Sequence, residues 1–319
     1  MAALLLAINF NYFPCSLAAA GVKKNIMKKT TLSILVIAGL ASCGRFGNED
    51  QKKDHAERIV CIAKQYTEIA FALKGQENIV AVDVSSTYPA EAKKLPTVGY
   101  HRALSAEAIL ATKPTLILHD NNIGPEHVVK QLSDLKIPMK NFGKYQNTLA
   151  GTDSLIREMG AYFHREKEAD SLCAKLDKDI ASAIENGRRY KDTVKVLVIH
   201  FGQASNVYLV MTQKSTAAKM VEWAGGRMAV DDARGMKQIS PEIVAASDPD
   251  VILLTDFGYD RLGGDPQKIK ELPGVANTRA FKNNRIFRIE EHDLVYLGPR
   301  TGENVLLIQK LIHPDGPAQ

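Results

Sequence analysis

Two distant stretches of this 319-residue chain are written to the same plan. Ser105-Ala106-Glu107-Ala108-Ile109 leads to Lys113-Pro114 and the apolar Leu116-Ile117-Leu118. Ser240-Pro241-Glu242-Ile243-Val244 leads to Asp248-Pro249 and the apolar Val251-Ile252-Leu253-Leu254. In each, a serine hydroxyl can accept an orphan amide at a helix start, and a glutamate occupies the first turn, where the helix dipole favours it. A proline then ends the helix and releases the chain into a strand short and apolar enough to be interior. A layout used twice predicts two similar α/β lobes.

The surrounding pattern agrees. Strands are expected at 58–63, 78–83, 115–118 and 136–139 (leading into Asn141-Phe142), with a helix at 66–73 ending at Gly75. Alternating strand and helix is the signature of a parallel sheet covered on both faces, whose ligands sit beyond the carboxyl ends of the strands. A second set follows: strands at 194–200, 208–211, 251–254 and 285–289, a helix from Ser215 to Trp223 stopped by Gly225-Gly226, and a terminal helix over 301–312. Between the sets, 153–186 is almost all helix-forming. Leu172, Leu176, Ile180 and Ile184 recur every four residues with Ala169 and Cys173 on the same face, and Gly187 is the expected stop.

Within the first set, the loop Val98-Gly99-Tyr100-His101-Arg102 places a phenol, an imidazole and a guanidinium in consecutive positions after a glycine. By residue type, Tyr100 is either a loop tyrosine over the sheet edge or a ligand for a hard metal such as ferric iron. A phenol alone, with a pKa near ~10, stays protonated at neutral pH, and an adjacent cation such as Arg102 favours the anion. His101 reads as a supporting donor, an alternative ligand or a solvated loop residue. His200 ends the first strand of the second set, where it either faces the cleft or is satisfied by its neighbours. Glu107 and Glu242 hold matching helix-start positions.

The run Val-Gly-Tyr-x-Arg-x-Leu-Ser-Ala-Glu-x-Ile-Leu, followed by Lys-Pro-Thr-Leu-Ile-Leu, resembles the haem-binding substrate-binding proteins of ABC importers, in a clan that also carries vitamin B12 and iron siderophores. The resemblance extends from about Arg58 to the end. It implies an α/β fold of two Rossmann-like lobes with parallel-rich sheets, joined by one long backbone helix acting as a stiff spine, with the ligand in the inter-lobe cleft. It implies Tyr100 as the haem iron ligand and His200 as a candidate second ligand. Arg102, His101 and Arg300 (in Leu297-Gly298-Pro299-Arg300) are the candidate pocket or propionate residues, although Arg300 could instead fix its turn. Glu107 and Glu242 would dock on the permease. His101 departs from the family, which usually has an apolar residue there, and Thr212 and Arg227 stand where the family often has Gly and Asn. The implied function is capture of haem, as a transported ligand rather than a catalytic cofactor, and its delivery to an ABC permease and its ATPase. Lobes on a stiff spine should close only slightly on ligand.

The amino end reads as a targeting segment. Met27-Lys28-Lys29 is a positive region, 31–40 an apolar run too short for a permanent span, and Leu40-Ala41-Ser42-Cys43-Gly44 resembles the bacterial lipoprotein signal. Cys43 is therefore the expected lipid site, with an ordinary cleaved signal or a membrane anchor as the alternative. The expected organisation is a signal segment over 1–42 (1–26 being an upstream start called too early), a lipidated tether over 43–57, a first lobe over 58–150, a linking helical segment over 151–190 and a second lobe over 191–319. This places the protein on the periplasmic side of the bacterial cell envelope, anchored to a membrane.

Lys23, Lys24, Lys28 and Lys29 are the only charged residues before Cys43 and carry most of the formal charge of +5, so the basicity belongs to the precursor. Clustered basic and aromatic residues of a nucleic-acid binder are missing, and no nucleic-acid partner is expected. Cys61 and Cys173 lack metal-site spacing. No P-loop occurs, and binding rather than catalysis is the reading. The alternatives are a siderophore- or cobalamin-binding protein of the same fold, or a tetrapyrrole metal chelatase. A chelatase would need a histidine–carboxylate pair in the cleft, for which Asp54-His55, His119-Asp120, Glu126-His127 and Glu291-His292-Asp293 are the close pairs.

Overall fold

A computed structural model describes residues 57–316, apart from Lys144, Gln146, Lys191, Asp192 and Ala204. The signal segment, Cys43 and most of the tether lie outside the described residues. Among the described residues, no helix is long and apolar enough to cross a membrane.

The first lobe contains β1 (Ile59–Ile62), α1 (Lys64–Ala72), β2 (Ile79–Val82), β3 (Gly99–Tyr100), β4 (Ala103–Leu104), α2 (Ala106–Ala111), β5 (Leu116–His119), α3 (Glu126–Asp134) and β6 (Met139–Lys140). Its sheet runs β2-β1-β5-β6, all parallel. β1 is buried on both faces: Ile59 and Cys61 join one core with α1, while Val60 and Ile62 join the other with α2 and α3. That double burial is why the strand reads as a continuous apolar run rather than an alternation. The expected fourth strand forms two residues later than its centre, at Met139–Lys140.

The chain then enters α4 (Leu149–Tyr162) and α5 (Glu166–Arg188), two helices where the sequence suggests one. α5, 23 residues long, is the spine. Its buried face is Ala169, Cys173, Leu176, Ile180, Ala183 and Gly187, with Leu172 and Ile184 half-buried at its margins. The first three of these belong to the first lobe's core; Ile180 and Ala183 belong to the second's. One rigid element thus contributes to two hydrophobic cores. Gly187 does not stop this helix but lies inside it, where an added Cβ would stand 2.3 Å from the Trp223 carbonyl oxygen. The glycine is there for close packing, not for its freedom to turn.

The second lobe comprises β7 (Val194–Gly202), β8 (Val207–Met211), α6 (Thr216–Trp223), β9 (Gly226–Met228), β10 (Met236–Gln238), α7 (Pro241–Ser247), β11 (Val251–Thr255), α8 (Asp256–Arg261), α9 (Arg279–Lys282), β12 (Ile286–Ile289), α10 (His292–Val295) and α11 (Thr301–Ile312). Its sheet runs β10-β8-β7-β11-β12, with β9 also on β7. β9, β7, β11 and β12 pair in parallel, while β8 and β10 form an antiparallel edge. The repeated plan is realised in space. Ser105 accepts from the Ala108 amide at 3.1 Å and Ser240 from the Ile243 amide at 3.3 Å. Lys113 and Asp248, each before a proline, both take left-handed φ values of 51° and 33°. The pre-proline position resists the right-handed helix, so both helices end there.

Candidate functional site

The carboxyl ends of strands from both sheets face one cleft of about 600 Å³, within the ~300–1,000 Å³ range of small-molecule sites. Tyr100, His101, Arg102 and Asn122 line it from the first lobe; His200, Leu209, Met211, Lys214 and Met236 line it from the second. Lys64, Glu291 and Tyr296 also line it. Four of the residues singled out from sequence, from both lobes, therefore meet in one cavity.

Tyr100 stands on a two-residue hairpin. β3 and β4 pair antiparallel, Gly99 with Leu104 and Tyr100 with Ala103, leaving His101 and Arg102 at the turn. Gly99 has φ +100°, and a Cβ on it would sit 2.9 Å from the Ala103 carbonyl oxygen. Only glycine fits comfortably, which explains the residue before the tyrosine. Burial and the nearby Glu291 carboxylate raise the Tyr100 phenol above its ordinary value, against the opposing pull of Arg102. The expected activation by Arg102 is thus outweighed in the ligand-free protein, because desolvation acts on the phenolate more strongly than one exposed guanidinium does.

His101 is not a solvated loop residue. It is buried, with Nδ1 3.4 Å from Asp83 Oδ2 and 3.3 Å from Ser85 Oγ, and Nε2 3.4 Å from Asn122 Nδ2. Burial would raise the Asp83 carboxyl, but hydrogen bonds from His101, Ser85 and Ser86 hold it below its ordinary value. His200 is also buried and meets Thr255 Oγ1 through Nδ1 at 3.3 Å. Burial lowers its pKa, so the imidazole is neutral at neutral pH, the form that binds metal. It is both satisfied by a neighbour and part of the cleft lining.

Lys64 begins α1 and pairs across the lobes with Glu291. Burial opposes ionisation of Glu291, but the paired Lys64 ammonium holds its pKa down. Lys64, Asn122, Glu291 and Tyr296, which line the cleft, and Asp83, which stands behind His101, are not singled out as pocket residues by the sequence. Only Glu291 carried a signal, as part of the acidic-histidine run 291–293; the others depend on which strand ends the fold brings together.

Arg300 is placed elsewhere. Its Nε lies 2.9 Å from Glu68 Oε1, its second amino group 2.7 Å from Asp293 Oδ1, and its guanidinium carbon 3.4 Å from the Tyr88 ring centroid. It lines a separate groove of about 430 Å³ beside Glu68 and Tyr88, not the Tyr100 cleft. The buried carboxylates it satisfies, with His292 on Glu68, form a charged seam between α1 and the second lobe. A further cavity of about 320 Å³ contains Gln65, Asp120 and Asn147, and adjoins the main cleft through Tyr296. Of the histidine–carboxylate pairs, His119-Asp120 and Glu126-His127 do not line the main cleft; Asp54-His55 lies outside the described residues. Glu107 and Glu242 are exposed on the first turns of α2 and α7.

Comparison with known proteins agrees with this architecture. The chain is 33% identical to the periplasmic heme-binding protein RhuT from Roseiflexus sp. RS-1, solved in apo form, with a TM-score of 0.73 over 81% of this chain and 98% of that one. It is 27% identical to the uncharacterized ABC transporter substrate-binding lipoprotein YvrC of Bacillus subtilis, covering 82% of each. It is also 27% identical to the high-affinity heme uptake system protein IsdE of Staphylococcus aureus, over 83% of this chain and 90% of that one. Residues 59–292 match the periplasmic binding protein family, and the chain belongs to it.

Proposed function

We propose that this protein captures ferric haem in the inter-lobe cleft and delivers it to an ABC permease. The observation that carries the reading is the convergence of Tyr100, Arg102 and His200 on one cleft at the strand ends. Haem is the cargo here, and the family is one of binding proteins. Phenolate is a strong oxygen donor for ferric iron. Because the free phenol is held protonated, Tyr100 gives up its proton as iron binds, and the iron supplies the charge that favours the anion. Neutral His200 is the candidate second ligand, and Arg102 the propionate partner through its planar fork. Leu209 and Met236 offer apolar contact for a macrocycle.

Glu107 and Glu242 would dock the two lobes on the permease, whose ATPase drives release. The Ser240 hydroxyl helps hold the exposed Glu242 carboxyl below its ordinary pKa, so it is anionic when it meets a cationic partner. Lipidation at Cys43, with 43–57 as tether, 58–150 and 191–319 as lobes and 151–190 as link, would keep the protein on the periplasmic side of the envelope. Transport assays test docking: Glu107→Ala with Glu242→Ala should abolish haem-dependent growth while leaving haemin binding intact. Normal uptake by that double variant would overturn the docking assignment.

Ligand class is tested by adding haemin, cyanocobalamin and ferric siderophores separately to the soluble body. Saturable uptake of haemin alone supports the reading; saturable binding of cobalamin or a siderophore without haemin replaces it. Turnover of porphyrin plus a divalent metal would move the protein to the chelatase class.

A further inference from the structure

We propose that Asp83 and Asn122 are positioning residues for Tyr100, acting through His101. The hairpin that carries Tyr100 has only one pair of residues on each side of its turn and cannot hold itself rigid. Two neighbouring segments hold it instead. From the segment just after β2, the Val84 amide donates to the Gly99 carbonyl at 2.9 Å. From the loop after β5, the Gly124 amide donates to the His101 carbonyl at 2.8 Å and the Leu104 amide donates to the Gly124 carbonyl at 2.9 Å.

The His101 side chain ties the same two segments together. Asp83 at one of its nitrogens belongs to the first segment and Asn122 at the other to the second. The Asp83 carboxylate faces Nδ1 and the Asn122 amide group faces Nε2, so the ring is held at both of its nitrogens. Asp83 is itself immobilised, fully buried and accepting from Ser86 Oγ at 2.6 Å and the Ser85 amide at 3.1 Å. Ser86 is in turn held by Thr67 of α1 at 3.0 Å. The braced imidazole lies against the tyrosine, with ring centroids 4.1 Å apart and planes inclined by 50°. The orientation of the Tyr100 ring is thereby set from the interior of the first lobe before any ligand arrives. A ligand held in place beforehand loses less conformational freedom on binding.

The inference rests in part on the haem reading, so its test has two arms. In ligand-free protein, hydrogen exchange at the Val84, Leu104 and Gly124 amides reports the bracing directly. Asp83→Asn and His101→Leu should each speed exchange at these amides relative to the core strands. With haemin, both variants should shift the tyrosinate-to-iron charge-transfer band and lose about 10–100-fold in affinity, the usual cost of removing an outer partner of a metal ligand. If Asp83→Asn does not fold, His101→Leu removes the same contact from the hairpin side. Unchanged exchange and an unchanged band in the folded variants would overturn the proposal. Should the parent protein bind no haemin, the haem reading fails while the exchange arm still decides the bracing.

Discussion

At the scale of single residues, the Tyr100 hairpin shows what a sequence can and cannot announce. A glycine followed by a phenol, an imidazole and a guanidinium stood out as unusual chemistry, and the glycine proves to be required by its φ of +100°. Gly99→Ala should therefore strain the hairpin by about 1–3 kcal/mol. Weaker haemin binding with little change in the core's exchange rates would show it; parent-like affinity would contradict it. The direction of the His101 side chain was not legible, because Asp83 and Asn122 are neighbours only after β2 and β5 have taken their places. Nor was the protonated state of Tyr100. Sequence adjacency to Arg102 suggested an activated phenol, whereas burial and Glu291, which arrives from the other lobe, decide the balance.

At the scale of elements, legibility followed local signals. The serine caps and helix-ending prolines were sufficient to outline α2, and α11 matches its expected bounds of Thr301–Ile312. The break between α4 and α5 was hidden because it lacks the usual glycine. His164 takes the left-handed position, with φ 55°, while the Arg165 amide donates to the Gly160 carbonyl at 2.7 Å and the His164 amide to the Ala161 carbonyl at 3.3 Å. This is a Schellman-type ending built on a histidine, held by packing of α4 on α5. Gly187 misled in the opposite sense, since a glycine at a helix crossing looks like a stop when read one-dimensionally. Gly187→Ala would drive a methyl into the Trp223 carbonyl and should destabilise the fold by about 1–3 kcal/mol. Urea unfolding measures it, and a midpoint equal to the parent's would contradict the close-packing account.

At the scale of the whole molecule, the two lobes share α5 and are joined beside the cleft by buried charge: Lys64 with Glu291, and Glu68 with His292 and Arg300. Burial opposes ionisation of Glu68, yet His292 and Arg300 hold its pKa below the ordinary carboxylate value. A depressed folded pKa contributes stability above the unfolded carboxylate value, near pH ~4, and that contribution is lost as pH falls through the folded pKa. Urea midpoints should accordingly drop on acidification below about pH 4. Glu68→Gln should lose about 3–5 kcal/mol at neutral pH, since it removes the buried carboxylate that pairs with His292 and with the half-buried Arg300, and should show a shallower acid decline. An identical acid profile would remove Glu68 from the explanation. Small-angle scattering with and without haemin should show only a slight contraction; a large one would contradict a stiff spine. The central claim, haem capture through Tyr100, is tested most directly by haemin titration of the soluble body and of Tyr100→Ala, followed by absorption. The account predicts a saturable spectrum with a tyrosinate charge-transfer band in the parent and loss of that band in the variant. The same band in both proteins would contradict it.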